Sequence, residues 1–245
     1  MPLMLRSTGF GFALASALLL AAPDADAFSI TVGYAGNDSS FVTMTDQDAY
    51  LGCGGAGAQG QLSCSGTNWT PLGGWTLDSW SLQVDPDPSI TNIFSVTNNT
   101  AATQTFVVSV LLPTGISFGP PSLIRGSVQG GATDNNFNGV TLANSGTTAI
   151  YDAQIDGATV RTLFDNPTSV SGVGSVSLGS TSFGIPVQES IAVATTTTIG
   201  LTLRFSLTPG DSASFTSVFD VQPVPEPGTA LLLGLGLSAL ALRRR

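Results

Sequence analysis

The chain has 245 residues without one histidine or lysine. That inventory excludes Ser–His, Cys–His and Ser–Lys nucleophile pairs and lysine Schiff-base chemistry. The formal net charge is −9, and residues 28–222 carry thirteen acidic against three basic side chains, a balance that excludes nucleic acid as an expected partner, because such binding depends on Lys and Arg against phosphate.

Near its start the chain carries a positive residue, Arg6, then an apolar run from Gly9 to Ala22, then Ala25-Asp26-Ala27. A basic start, a short apolar core and a small-x-small triplet form a secretory signal peptide. Cleavage is expected after Ala27, leaving Phe28 as the new N-terminus. A buried N-terminal helix is the competing reading.

Residues 28–222 have the length of one domain or of a closely joined pair. Ser, Thr, Gly, Val and Asn dominate, and Glu189 is the single glutamate of the region. Thr and Val suit a pleated, half-buried surface. Strands are predicted at 28–34, 75–84, 90–97, 105–112, 147–155, 191–197 and 199–207, with turn residues between them. Asp85-Pro86-Asp87-Pro88 must interrupt regular structure. The run Phe106, Val107, Val108, Val110, Leu111, Leu112 reads as a central strand covered on both faces, ended by Pro113. Thr208-Pro209-Gly210-Asp211 is a tight-turn sequence and predicts a hairpin between 201–207 and 212–221. The fold class expected is all-β, a single β-sandwich, with jelly-roll and immunoglobulin-like strand orders both open.

Cys53 and Cys64 are the only cysteines. In an exported chain an even count points to a disulfide, here closing the Gly-rich loop 52–65 and contributing roughly 2–3 kcal/mol. The alternative is a metal site completed by carboxylates.

Asp134-Asn135-Asn136-Phe137-Asn138-Gly139 matches the first half of a calcium loop. Ser145 stands where the bidentate glutamate belongs, which favours a plain Asn/Gly turn. Trp69, Trp75 and Trp80 cluster within twelve residues. On a regular strand Trp75 and Trp80 face opposite sides, so one is core and the other a possible sugar-stacking surface. Three N-x-[ST] triplets, at Asn37, Asn68 and Asn98, suggest exposed loops only. Asp152 and Asp156, four apart, share one strand face. Two carboxylates can hydrolyse a glycoside, with Glu189 the candidate. No catalytic, metal or cofactor-binding set is expected.

The last segment reads Val224-Pro225-Glu226-Pro227-Gly228, then fourteen uncharged residues from Thr229 to Leu242, then Arg243-Arg244-Arg245. As a helix, 229–242 would be about 21 Å long, against a hydrocarbon core of about 30 Å. It is a marginal span, and the terminal arginines hold its end on the cytoplasmic side. A weak permanent anchor and a temporary, protease-removed hold both remain open.

These residues resemble the PEP-CTERM sorting signal, with Pro225, Glu226 and Pro227 as the motif and Arg243, Arg244 and Arg245 as the stop. The resemblance implies recognition and cutting by a membrane-embedded exosortase in a Gram-negative bacterium that makes exopolysaccharide. It implies a membrane tether during sorting, then a cell-surface or extracellular location. The organisation expected is a signal peptide (1–27), an exported β-sandwich (28–222) and a sorting signal (223–245). Three functions are compatible: a structural or interaction protein of the extracellular matrix, which is preferred; a carbohydrate-binding module with exopolysaccharide as partner; and a glycoside-active enzyme acting through Glu189.

Overall fold

The computed structural model describes residues 28–35, 40–45, 48–54, 61–71, 73–85 and 87–224, with isolated positions 228, 233 and 235. The signal peptide (1–27), Pro225, Glu226, Pro227 and Arg243–Arg245 lie outside the described residues, as does most of the apolar segment.

The strands in chain order are β1 (Ser29–Tyr34), β2 (Val42–Thr45), β3 (Cys53–Gly54), β4 (Leu62–Trp69), β5 (Trp75–Asp85) and β6 (Ser89–Asn98). There follow β7 (Gln104–Pro113), β8 (Ser122–Thr133), β9 (Val140–Ala143), β10 (Tyr151–Ile155) and β11 (Ala158–Leu163). The last are β12 (Ser169–Gly172), β13 (Ser175–Phe183), β14 (Glu189–Ile191), β15 (Thr198–Leu207) and β16 (Ser212–Pro223). They form two antiparallel sheets packed as a sandwich. Sheet A runs β11-β10-β15-β7-β1-β2, with β9 also on β15 and β12 on β9. Sheet B runs β13-β8-β16-β6-β5-β4-β3, with β14 also on β8.

Alternation explains most inward faces. Leu201, Leu203, Phe205 and Leu207 of β15 are fully buried, while Thr202, Arg204 and Ser206 point outward between them. β7 is central, between β1 and β15, and Phe106, Val108, Val110 and Leu112 face the core. Its outer face is covered only in part, since Val107 is buried but Leu111 is 40% exposed; the expectation of cover on both faces is corrected to that extent.

β5 departs from strict alternation. Its register slips between Leu77 and Ser79, and one extra residue in a strand turns all that follow to the opposite face. Trp75 and Trp80 therefore share the core face, both buried, and the expected division into one core and one surface tryptophan is wrong. Trp75 Nε1 donates to the Ser40 carbonyl (3.1 Å) and Trp80 Nε1 to the Leu51 carbonyl (3.4 Å). The Trp80 ring lies over its cross-strand partner Gly66, where a Cβ would come within 2.0 Å of it. Trp69 is half-buried, edge-on to Trp75 with centroids 5.8 Å apart.

The predicted hairpin between 201–207 and 212–221 is also corrected. β15 pairs with β7, β9 and β10 in sheet A, and β16 pairs with β6 and β8 in sheet B. The segment 208–211 is a turn, as read, but it carries the chain from one sheet to the other. Both strands bury one face, and those faces meet across the sandwich: Phe205 and Phe215 have ring centroids 4.7 Å apart. Phe106 is the register partner of Phe205 and stacks on it at 5.7 Å; Phe94 is the partner of Phe215 and stacks at 5.6 Å. Buried Asn98 fixes the corner, with Nδ2 donating to the carbonyls of Leu207, Thr208 and Ala102. Buried Asp211 accepts from the Thr208 hydroxyl at 2.6 Å.

Two predicted strands shrink. The stretch 147–155 forms strand only from Tyr151, and 191–197 pairs only at its start in β14 and through one bridge at Thr195. Asp156 is not on a strand face with Asp152: it sits in the β10–β11 turn at φ 51°. Its carboxylate accepts from the backbone N–H groups of Thr196, Thr197 and Thr198 and the hydroxyls of Thr196 and Thr197, at 2.8–3.0 Å. Partial burial would raise this carboxyl, but these donors outweigh it and hold it well below the ordinary value.

Replacing Phe205 by Ala should destabilise the domain by about 3–5 kcal/mol, whereas Val187→Ala, at a 79%-exposed position, should stay within about 0.5 kcal/mol; urea unfolding measures both. Asp156→Asn should cost about 1–2 kcal/mol at neutral pH, allowing for the site's exposure. The lowered carboxyl makes this contribution fully present above the unfolded value and lost as the pH falls below about 4. The difference in Tm between parent and variant should therefore close between about pH 4 and the acid limit.

Candidate functional site

The residues singled out in sequence are built into the fold in different ways. Cys53 and Cys64 are direct cross-strand partners on β3 and β4 and are joined by a disulfide, with S–S 2.09 Å and Cα–Cα 3.9 Å. The bond closes the loop predicted from their spacing and pins the short outer strand β3 to sheet B. The metal alternative for these two cysteines falls, because both sulfurs are bonded to each other.

The loop 134–139 is held by its own first residue. Asp134 is buried; its Oδ1 accepts from the N–H groups of Asn136 and Asn138, and its Oδ2 from Gly139. Burial acts to raise this carboxyl, but the backbone donors of Gly139, Gly174, Asn136 and Asn138 prevail and lower it. Asn136 accepts from Asn138 N–H and donates to the Pro209 carbonyl. The side-chain oxygens of Asp134 and Asn136 are thus engaged by the turn itself, which accounts for their place in the Asn/Gly pattern without a ligand. Among the described residues, no three His, Cys, Asp or Glu side chains gather into a metal-holding group.

Glu189, on β14 of sheet B, meets Arg161, on β11 of sheet A. Arg161 Nε donates to Glu189 Oε2 at 2.9 Å, and Nη2 pairs with Oε1. This two-pronged contact ties the sheets together at one edge of the sandwich. The guanidinium's hydrogen bonds lower the Glu189 carboxyl, the opposite of what a general acid needs. A second pair, Arg125 with Asp220 at 2.6 Å, spans register partners of β8 and β16. Burial pushes the Asp220 carboxyl up, against the pull of Arg125.

The outer faces of both sheets carry hollows. One of about 740 Å³ crosses sheet B, over Ser95, Gln129, Ser177 and Thr216 with exposed Ile93, and has no charged side chain in its lining. Another, of about 410 Å³, lies on sheet A and contains Arg204 and Asp152. Here register aligns Ser109, Thr202, Asp152 and Thr162 in one row across β7, β15, β10 and β11. Arg204 follows two residues along β15 on the same face, opposite Val107. Sequence alternation along β15 predicts that Arg204 faces outward, but only the pairing of β10 with β15 reveals Asp152 beside it.

At the far end, β16 remains paired with β8 to its last residue, where Pro223 stands opposite Ser122 and Val221 is fully buried. The sorting sequence begins there without a linker. Among the described residues, no helix is long and apolar enough to cross a membrane. No curated protein matches this chain. One family model, that of the PEP-CTERM protein-sorting motif, matches residues 223–245. The chain thus carries a PEP-CTERM protein-sorting motif directly after its last strand, which marks it as an exported protein processed by exosortase.

Proposed function

We propose that the sandwich is a structural or interaction protein of the cell surface or extracellular matrix, without catalytic activity, delivered through a signal peptide at 1–27 and freed from its membrane hold by cutting within or beside Pro225-Glu226-Pro227. The observation that carries this reading is the junction: the matched motif starts at residue 223, where β16 ends. Five residues, 224–228, reach at most about 18 Å when extended. The folded body is therefore held close to the membrane surface until the chain is cut, and cutting removes the apolar segment while leaving every strand intact.

The acidic balance of 28–222 supports solubility outside the cell. The disulfide suits an oxidising compartment. The side chains best placed to act as acid or base have structural partners: Glu189 pairs with Arg161, Asp134 holds its own loop, and Asp156 clamps 196–198. The three tryptophans support no sugar-stacking surface, because Trp75 and Trp80 are core and Trp69 packs edge-on against Trp75.

Intact-mass measurement of protein recovered outside the producing cell should give a species without residues 1–27 and without Arg243–Arg245. Glu226→Ala should shift the pool toward a membrane-associated form that keeps its arginines. An external species with Arg243–Arg245 still attached would refute exosortase cutting.

A further inference from the structure

The structure assigns a ligand to the hollow on sheet A: we propose that it binds an acidic sugar, a polyhydroxylated ring bearing one carboxylate, as in a uronic acid residue. The inference concerns the folded body and stands apart from the processing reading.

Residues 28–222 contain three cations. Arg125 is committed to Asp220 and Arg161 to Glu189. Arg204 has neither an ion pair nor a side-chain hydrogen bond among the described residues. It is half-buried and lines the hollow. A guanidinium presents a planar fork of donors that matches a carboxylate in two parallel hydrogen bonds.

The second observation is independent of the first. Asp152 Oδ2 accepts from Gln154 Nε2 at 2.9 Å and from the Thr159 hydroxyl at 3.1 Å. Its Oδ1 is buried and has no hydrogen-bond partner. A buried acceptor without a donor is costly; Oδ1 is closed to solvent as the side chain sits, so a ligand hydroxyl supplies the donor once the carboxylate turns this oxygen toward the hollow. Asp152 is the diagonal neighbour of Arg204 across β10 and β15, a backbone separation of about 7–8 Å. One end of the hollow therefore offers donors to a carboxylate, and the other an acceptor to a hydroxyl.

The hydroxyls of Ser109 and Thr202, 2.9 Å apart, lie in the same row as Asp152. The volume of about 410 Å³ falls within the range of small-molecule sites. A phosphate is the poorer match: its double charge would face one arginine and a neighbouring carboxylate. A neutral sugar would leave Arg204 unanswered. The domain's overall negative charge is screened beyond about 8 Å at physiological salt, so the local pair governs recognition at contact.

The test is calorimetric titration of the full-length protein in a non-ionic detergent with three probes: glucuronate, a trimeric oligouronate and a neutral trisaccharide. Both uronates should bind and the neutral sugar should not. Arg204→Gln should weaken uronate binding about tenfold or more, with an unchanged Tm, and Arg204→Lys should restore part of it. Binding of the monomer alone keeps the chemistry and assigns the site to a free sugar acid; binding of the trimer assigns it to a chain. Equal binding of the neutral trisaccharide, undiminished binding by Arg204→Gln, or no binding of either uronate up to ~10 mM would overturn the proposal. If Arg204→Gln does not fold, the comparison of acidic with neutral probe on the parent protein decides alone.

Discussion

Phe205 against Phe215 is the contact on which this sandwich depends. The two rings come from strands that are adjacent in the chain but belong to opposite sheets, and each is backed by the ring of its own register partner, Phe106 or Phe94. Aromatic pairs add about 0.5–1.5 kcal/mol beyond their buried area. More important is the constraint they impose. The corner at 208–211 has to deliver Phe215 opposite Phe205, so its backbone groups must be satisfied inside the protein. Asn98 does this from a buried position: its side chain donates to the Leu207 and Thr208 carbonyls, and its backbone pairs with Gly210 and Asp211. Gly130, the partner of Phe215 on the next strand, leaves the ring its space, since a Cβ there would approach it to 2.4 Å.

With the apolar side chains turned inward, the outer faces are left to Ser, Thr, Gln and a few charges. Those charges are largely absorbed by the fold. One ion pair bridges the two sheets at an edge, another staples neighbouring strands, and single aspartates organise turns at 134 and 156. Such a body has little chemistry to spare, which suits a protein whose clearest functional feature is its address. Arg204 and Asp152 are the departure: diagonal neighbours lining one hollow, with the guanidinium and the buried carboxylate Oδ1 each without a protein partner among the described residues. Asn92 and Thr114 also keep buried polar atoms without partners; what singles out Asp152 is the uncommitted guanidinium of Arg204 lining the same hollow.

What the sequence shows by itself follows from how local each feature is. Leu201, Leu203, Phe205 and Leu207 reveal their face by alternation alone. The cysteine pair and the terminal motif are equally local. Trp75 and Trp80 were not separable from a regular strand because the extra residue near Asp78 leaves no mark in composition. The turn at 208–211 was legible as a turn, yet nothing in Thr-Pro-Gly-Asp says whether the next strand pairs or crosses. Strands β8 and β13 escaped because Gly126, Gly130, Gly131 and a run of serines weaken the apolar signal, although their glycines make room for aromatic rings and backbone from other strands. The Arg204–Asp152 hollow needed the register between β10 and β15, residues about fifty apart in the chain.

A double-mutant cycle on Phe205 and Phe215, each replaced by Leu so that burial is largely retained, tests the central contact most directly. The cross-sheet ring contact predicts that the paired substitution costs less than the sum of the single ones, with a coupling of about 0.5–1.5 kcal/mol in equilibrium unfolding. Strict additivity, the behaviour of residues that do not touch, would contradict it.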